Sequence, residues 1–295
     1  MPSPKVQARH DALAAKLKKR KLSSTRGRAP LPFSTRGAEL VFFRSVRALV
    51  NVTRKQFQEA LRYYDPQIRR EFLAATPEVM RKDDGLTEIK RLMASLKIDV
   101  EREWTQAELE RIAARQGRSV DEVVKKSVSE QWRRVLGLDP IQADKRLGTY
   151  LKQRVAQNVA MIQSIPERHY PTLETGLLNA YQAGRPVAEI ASYIDDRFDV
   201  MEGNAMTIAR TETGKLYADL TEFRQRDLGI EKYTWVTAHD ERVSNAHAEL
   251  ETRETEFGSG IYSWADAPTD SDGNTGHPGA IRPNCRCVAL PYFGS

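Results

Sequence analysis

The stretch that decides the fold spans residues 232–247 and reads KYTWVTAHDERVSNAH. Its first part, Lys232–Ala238, is rich in β-branched and aromatic residues, a composition typical of a β-strand. Polar residues follow, and among them Asp240 is of the type that caps the N-terminus of a helix. A second strand is predicted near the end of the chain, where Cys285–Tyr292 read CRCVALPY.

Helices are predicted before the first strand and a long loop after it. Three helical segments are indicated, at Leu173–Ala183, Val187–Tyr193 and about Glu202–Asp227. Residues 251–283 are polar, contain Gly and Pro and show little periodicity, which favours a long ordered loop. We therefore predict that residues 171–295 form a small α+β module with few strands.

Residues 38–170 are predicted to be helical. Apolar residues recur there at steps of three and four, the period of an amphipathic helix, at Leu40, Phe43, Val46, Leu49 and Val50. Thr105 and Ser119 each precede a glutamate by three positions, so both resemble capping boxes that open new helices. Pro166 and Pro171 predict a break in the chain. The fold class that follows is α+β, a predominantly helical N-terminal region followed by the small module.

The positive charge of the chain is concentrated in residues 1–37. This segment holds ten Lys or Arg residues and one acid, a net charge of +9, so the other residues together carry −3 of the total of +6. We predict a disordered basic arm that binds double-stranded DNA by releasing condensed counterions from phosphates. The alternative is a solvated tail or a contact with an acidic protein face. The residues assigned to DNA binding are Lys16, Lys18, Lys19, Arg20, Lys21, Arg26 and Arg28.

Composition also excludes some classes of protein. No run of residues approaches the ~18–20 apolar positions of a membrane-spanning helix, and the first thirty residues lack the apolar stretch of a secretory signal. A disulfide between Cys285 and Cys287 is not expected, because residues two apart on a strand lie about 6.6 Å apart and bridged Cβ atoms about 3.8 Å apart. We expect synthesis in a cytoplasm-like, reducing compartment.

The residue types that could carry chemistry are Asp240, His247, Cys285 and Cys287. All four are ligand types that a tetrahedral zinc site accepts, and a helix that extended back to Asp240 would place it on one face with His247. The alternative is a buried thiol pair beside a hydrogen-bonded histidine. A His–Asp pair could also serve as acid and base in a nuclease. The sequence offers no confident nucleophile, phosphate loop or paired carboxylates, so we expect no enzymatic activity.

Glu212 lies on the apolar stripe of the third predicted helix, where an unpaired carboxylate would be costly to bury. Arg242 comes just after the strand. We hypothesise that the two side chains form a bidentate pair that ties the helix to the strand.

Four short motifs then follow one another, ARTET at 209–213, WVTAHDERV at 235–243, His247 itself, and PNCRC at 283–287. Together they resemble the phage head morphogenesis, or minor head protein, family of the Mu F type, over roughly residues 170–293. The positions that carry the resemblance are Arg210, Glu212, Trp235, Asp240, Arg242, His247, Cys285 and Cys287.

The resemblance implies a minor structural protein of a tailed-phage head, present in few copies in the head interior. It implies assembly into the procapsid with the portal protein and with capsid or scaffolding protein, and association with DNA during packaging or ejection. No cofactor is implied, with zinc the one open possibility. Two alternatives stay open: a metal-dependent nuclease or toxin-like enzyme built on Asp240, His247, Cys285 and Cys287, and a nucleic-acid-binding protein without capsid association.

Overall fold

The computed structural model describes residues 29–74, 82–136, 145–183, 185 and 187–293. The helices within this part are α1 (Arg36–Ala74), α2 (Lys82–Glu103), α3 (Gln106–Leu136), α4 (Lys145–Gln182), α5 (Val187–Asp227) and α6 (Asn245–Thr252). The strands are β1 (Lys232–Val236), β2 (Ile261–Ser263) and β3 (Val288–Pro291). The α+β class predicted from the sequence, with a helical N-terminal region and few strands, is confirmed. The predicted arm residues from Lys16 to Arg28 lie outside the described residues.

The strands form one antiparallel sheet with β1 in the centre, in the order β2-β1-β3. Tyr233 lies opposite Tyr262 on β2, and Trp235 opposite Ala289 on β3. Both aromatic side chains of β1 are fully buried, which explains why this segment carries the strand signal. The predicted second strand begins later than expected, at Val288, so the two cysteines lie before it rather than on it.

Contacts divide the described residues into two units, and one of them consists of Leu40–Arg115 and Leu151–Ala209. Its core is a single apolar cluster drawn from five helices. Phe57 packs edge-on against Tyr170 and Phe198, with ring centroids 5.7 and 5.4 Å apart. The predicted apolar stripe of α1 faces this core, where Phe43, Val46, Leu49 and Val50 are buried.

The break predicted at Pro166 and Pro171 is wrong, because α4 continues through both prolines. A proline inside a helix costs about 3 kcal/mol. The apolar face of the same helix compensates, since fully burying a Leu or Ile side chain stabilises by about 1.5–3 kcal/mol. Buried residues stand before and after the prolines on this face, at Ile162, Ile165, Leu173 and Leu177.

The start of α3 is as predicted and its predicted interruption is wrong. Thr105 caps the helix by accepting a hydrogen bond from the backbone N–H of Glu108 at 3.3 Å. Ser119 lies inside α3 and opens no new helix. Val120 and Val124 are fully buried, so the apolar face of α3 continues past Ser119. The free energy gained by this burial outweighs the cost of about 1 kcal/mol for a glycine inside the helix.

The two helices predicted at Val187–Tyr193 and Glu202–Asp227 are one helix, α5. Buried side chains at steps of three and four bridge the predicted gap between them, at Ile194, Phe198, Met201 and Ala205. The segment predicted as a separate helix at Leu173–Ala183 is likewise the end of α4. Both errors arise because burial against other elements continues a helix that local sequence signals would end.

The second unit contains the remaining described residues, including the end of α5, the sheet and α6. Gln225 of α5 is fully buried and joins helix to sheet: its amide nitrogen donates to the Ala289 carbonyl at 3.2 Å. Its amide oxygen accepts from the Trp264 indole N–H at 3.0 Å. In the same unit the buried side chains of Arg224 and Asp121 form an ion pair. Within the described segments, no helix combines the length and apolarity needed to cross a bilayer.

Candidate functional site

Three side chains with metal-binding atoms meet beside the sheet: His247, Cys285 and Cys287, all buried. Imidazole Nδ1 of His247 lies 3.7 Å from the Cys285 sulfur and 3.5 Å from the Cys287 sulfur. The three ligand atoms all lie within 4.8 Å of one another. Both cysteines are free thiols. The structure thus brings together three of the four residues that the sequence suggested as ligands.

The histidine is placed by the start of α6. Ser244 caps this helix, and its hydroxyl accepts from the His247 backbone N–H at 3.4 Å. The imidazole packs edge-on against the fully buried Trp235 ring, with centroids 5.8 Å apart. A short capped helix and a rigid aromatic wall therefore fix the ring orientation.

The cysteines are placed by a turn held against α5. Asn284 adopts a positive φ of 60°, and its backbone N–H donates to the Thr211 hydroxyl at 3.2 Å. The backbone N–H of Gly279 donates to the Cys285 sulfur at 3.3 Å. A Cβ at Gly214 would lie 3.2 Å from the Cys285 carbonyl oxygen, so the helix and the turn are in close approach. The ARTET motif on α5 therefore supports the PNCRC motif directly.

Asp270 lies on the other side of the imidazole ring. Its Oδ2 is 3.7 Å from Nε2 of His247, and that nitrogen is buried without a hydrogen-bond partner among the described residues. Backbone N–H groups of Asp272 and Asn274 donate to the Asp270 carboxylate at 3.0 and 2.8 Å. Burial raises the pKa of Asp270, but the hydrogen bonds from Asn274 and Asp272 outweigh it and leave the pKa below its ordinary value.

The two thiols lie close together, and their interaction shifts their pKa values in opposite directions. The hydrogen bond with Cys287 lowers the pKa of Cys285 to about 5, and the hydrogen bond with His247 acts in the same direction while burial opposes it. The hydrogen bond with Cys285 and burial raise the pKa of Cys287. Cys285 is therefore the more acidic of the two thiols.

Asp240 is not part of this cluster, and its predicted role as a helix cap is wrong. Helix α6 begins later, at Asn245, behind the Ser244 cap. Asp240 instead forms a two-point pair with Arg286, whose Nη2 lies 2.6 Å from Oδ1 and whose Nη1 contacts Oδ2. The backbone N–H of Arg242 also donates to Asp240 at 3.1 Å. The hydrogen bond from Arg286 lowers the pKa of Asp240.

The predicted pair between Glu212 and Arg242 is also wrong. Glu212 is buried and lies 3.2 Å from Nζ of Lys215, one turn along α5. Arg242 is 67% exposed at its side chain, and its described contacts do not include Glu212. Arg210, also a motif residue, lies 3.3 Å from the carboxylate of Glu39.

A pocket of about 120 Å³ opens onto the cluster. Three arginines line it together with His247 and both cysteines, at Arg242, Arg282 and Arg286. Each of these arginines lies near an acid: Arg282 is 2.6 Å from Asp272, and Arg286 binds Asp240. A small solute or water can therefore reach the buried sulfurs.

Sequence reasoning missed two residues that complete the site, Asp270 and Thr211. Asp270 lies in the long loop, where the run DSDGN at 270–274 is a turn signal rather than a ligand signal. Thr211 carries no signal of its own besides its place in the ARTET motif.

Comparisons with known proteins locate the similarity in this part of the chain. Residues 171–290 match a protein family described as phage Mu protein F like. This confirms the resemblance drawn from the four motifs, and the family is one of phage head morphogenesis proteins. The matched range contains the three-residue cluster, Asp270 and all of the sheet except its last residue, Pro291.

A curated protein of Haemophilus influenzae, described as an uncharacterized protein, is 35% identical to this chain over 138 residues. The aligned part covers 47% of this chain and 28% of that protein, so the chain spans less than a third of its relative's length. No solved structure matches the chain.

Proposed function

We propose that this chain is a minor structural protein of a tailed-phage head, which associates with the portal protein and with DNA during procapsid assembly, packaging or ejection. The observation that carries the proposal is the match of residues 171–290 to the phage Mu protein F like family. The proposed location is the head interior, where capsid or scaffolding protein is a further partner.

We also propose a role in assembly rather than in catalysis. Among the residues that the sequence offered for catalysis, Asp240 has a structural partner, because Arg286 binds it at two points. Gln225 and Thr211 tie α5 to the sheet and to the cysteine turn. Such fixed polar contacts suit a scaffold that presents a constant surface.

The basic arm supports the DNA part of the proposal. Residues 1–37 carry a net charge of +9, whereas the rest of the chain is net acidic. A segment of this charge gains affinity for any duplex through counterion release, without a preferred sequence. A densely packed genome is a partner that needs no sequence-specific recognition.

The helical unit supports the portal part of the proposal. It lies largely outside the matched range and exposes apolar side chains on three helices, at Val52, Ile98 and Val200. We assign portal docking to this unit, because its long helices offer an extended surface outside the matched range for contact with a ring of subunits.

Co-sedimentation with a portal ring tests the proposal most simply. The full chain is mixed with a portal ring encoded by the same phage, and the ring is sedimented with and without the chain. The amount of chain recovered in the pellet is then measured. We expect the full chain and a variant lacking residues 1–37 to pellet equally with the ring. The chain is tested at concentrations well above those at which other head proteins pellet with the ring. If neither the full chain nor the variant pellets with the ring there, the portal assignment is contradicted.

The salt dependence of duplex binding tests the arm. A variant with Gln at Lys16, Lys18, Lys19, Arg20 and Lys21 keeps the chain length and removes five charges. Each lost phosphate contact lowers the slope of log K against log salt by about 0.9, so the slope falls by at most about 4.5. An unchanged slope would show that the arm is not the binding element. Cleavage of the duplex that is lost in His247→Ala would instead favour a nuclease.

A further inference from the structure

We propose that His247, Cys285 and Cys287 bind one Zn²⁺ ion, which ties α6 to the turn before β3. Two cysteine sulfurs and an imidazole nitrogen are preferred zinc ligands. The proposal is independent of the phage-head assignment, because it concerns only the chemistry and geometry of these three residues.

The distances between the ligand atoms fit a tetrahedral ion. With Zn–S about 2.3 Å and Zn–N about 2.0–2.1 Å, a tetrahedral angle separates nitrogen and sulfur by about 3.6 Å. The observed separations from Nδ1 of His247 are 3.7 Å to Cys285 and 3.5 Å to Cys287. Both nitrogen–sulfur separations therefore already match those of a bound site.

A hydrogen-bonded arrangement without metal explains the same geometry less well. One Nδ1–H group points in one direction and satisfies one sulfur, yet the two sulfurs lie at nearly equal distances from Nδ1. A cation between the three atoms is attracted by the Nδ1 lone pair and by both sulfurs at once. The symmetry of the contacts thus favours an ion.

The far side of the imidazole supplies a second, independent observation. Nε2 of His247 is buried without a hydrogen-bond partner among the described residues, and Oδ2 of Asp270 lies 3.7 Å away. Metal-binding histidines donate their other ring N–H to a carboxylate, which fixes the tautomer. A neutral His247 bound through Nδ1 carries its proton on Nε2, facing Asp270, so a small shift completes the arrangement.

The spacing of the cysteines does not oppose the site. On an extended strand, the two residues of a C-x-C pair lie about 6.6 Å apart, which does not favour a shared ion. The structure instead places both cysteines before β3. The turn there contains Asn284 in the left-handed region, and the backbone N–H of Cys285 donates to the Arg282 carbonyl at 3.3 Å. This turn brings both sulfurs to the same side.

The fourth ligand is a water molecule from the adjoining pocket. Its volume of about 120 Å³ holds water, and it reaches all three ligands. Arg242, Arg282 and Arg286 line it, and no carboxylate is among its described lining residues. A zinc-bound water there lacks a neighbouring general base, so the ion cross-links the module.

The experiment uses the full chain purified under reducing conditions. The chain is incubated with Zn²⁺, and excess metal is then removed. The number of zinc ions per chain is measured by inductively coupled plasma mass spectrometry. In parallel, Co²⁺ replaces Zn²⁺ and the thiolate-to-cobalt absorption band is recorded. We expect about one metal ion per chain and a charge-transfer band of the strength of two thiolates. A wild-type chain with no retained zinc and no such band would overturn the proposal.

Variants identify which residues bind the metal. If a variant fails to fold, the measurements on the wild-type chain still decide whether the site binds zinc. The Cys285→Ser/Cys287→Ser double variant is expected to lose both zinc and the band, and zinc retained at full stoichiometry would overturn the proposal. Asp270→Asn keeps all three ligands and is expected to weaken zinc binding about 10–100-fold. His239→Gln is the matched control, since His239 is exposed and pairs with Glu251 at 2.8 Å, and its zinc content should be unchanged.

Discussion

Replacing Gln225 by alanine tests how the end of α5 is joined to the sheet. The side chain is fully buried and makes two hydrogen bonds, one to the Ala289 carbonyl at 3.2 Å and one from the Trp264 indole at 3.0 Å. Both partners are buried as well, so water does not replace the lost amide. The variant therefore leaves one donor and one acceptor unsatisfied.

The magnitude follows from these two groups. A buried polar group that loses its partner costs about 1–3 kcal/mol, so the pair predicts a loss of about 2–6 kcal/mol. That is a large share of the roughly 5–15 kcal/mol that stabilises a folded domain. We expect the Gln225→Ala variant to lose about 4 kcal/mol, measured as the free energy of unfolding in urea by far-UV circular dichroism.

Two further variants separate this contact from general damage to the helix. Arg226→Ala, on the next position of α5, removes a solvent-exposed pair with Glu222 and should cost less than about 1 kcal/mol. Trp264→Phe removes the indole N–H together with part of the buried ring, and a double-mutant cycle separates the two effects. Because Gln225→Ala removes the same hydrogen bond, the two single variants should lose more stability in sum than the double variant loses. A Gln225→Ala variant as stable as Arg226→Ala would refute the reasoning.

Two other predictions concern the loop and the ion pair near the site. Gly260 has φ +65°, and a Cβ there would overlap the Glu251 carbonyl oxygen, whereas Gly273 has φ +84° and open space. Gly260→Ala should therefore destabilise by about 1–3 kcal/mol more than Gly273→Ala in the same urea assay, and equal effects would contradict the close approach. Arg286 holds the pKa of Asp240 below its ordinary value, so the pair stabilises the fold above the unfolded-state pKa of about 4 and loses that contribution as the pH falls through the lower folded-state value. The stability difference between the wild type and Asp240→Asn should shrink in acid and stay constant from about pH 5 to 7, and a difference that grows in acid would contradict the pairing.

Sequence patterns correctly predicted the elements that are determined by residues close to one another in the chain. The strand at Lys232–Val236 is set by alternating aromatic and β-branched residues, and Thr105 caps α3 through a contact three residues away. Pro166 and Ser119 led to wrong predictions of helix ends, because the continuity of their helices depends on contacts that are distant in sequence. Their helices continue because side chains distant in sequence bury the apolar face on both sides, and a single sequence does not reveal that burial.

The site shows the same division. Residue type pointed to His247, Cys285 and Cys287, since imidazole and thiols in one module suggest a shared ligand set. The partner of Asp240 was not predictable, because Arg286 reaches it only when the C-terminal turn folds back. Asp270 was missed because its place beside His247 depends on the path of the long connection between β2 and β3.

The composition of purified phage heads tests the central claim most directly. Heads produced by the genome that encodes this chain are treated with nuclease and protease, purified and analysed by quantitative mass spectrometry. The account predicts peptides from both the helical unit and the matched range, protected inside intact heads, at a copy number far below that of the major capsid protein. A chain that is abundant in the infected cells but absent from the heads would contradict it.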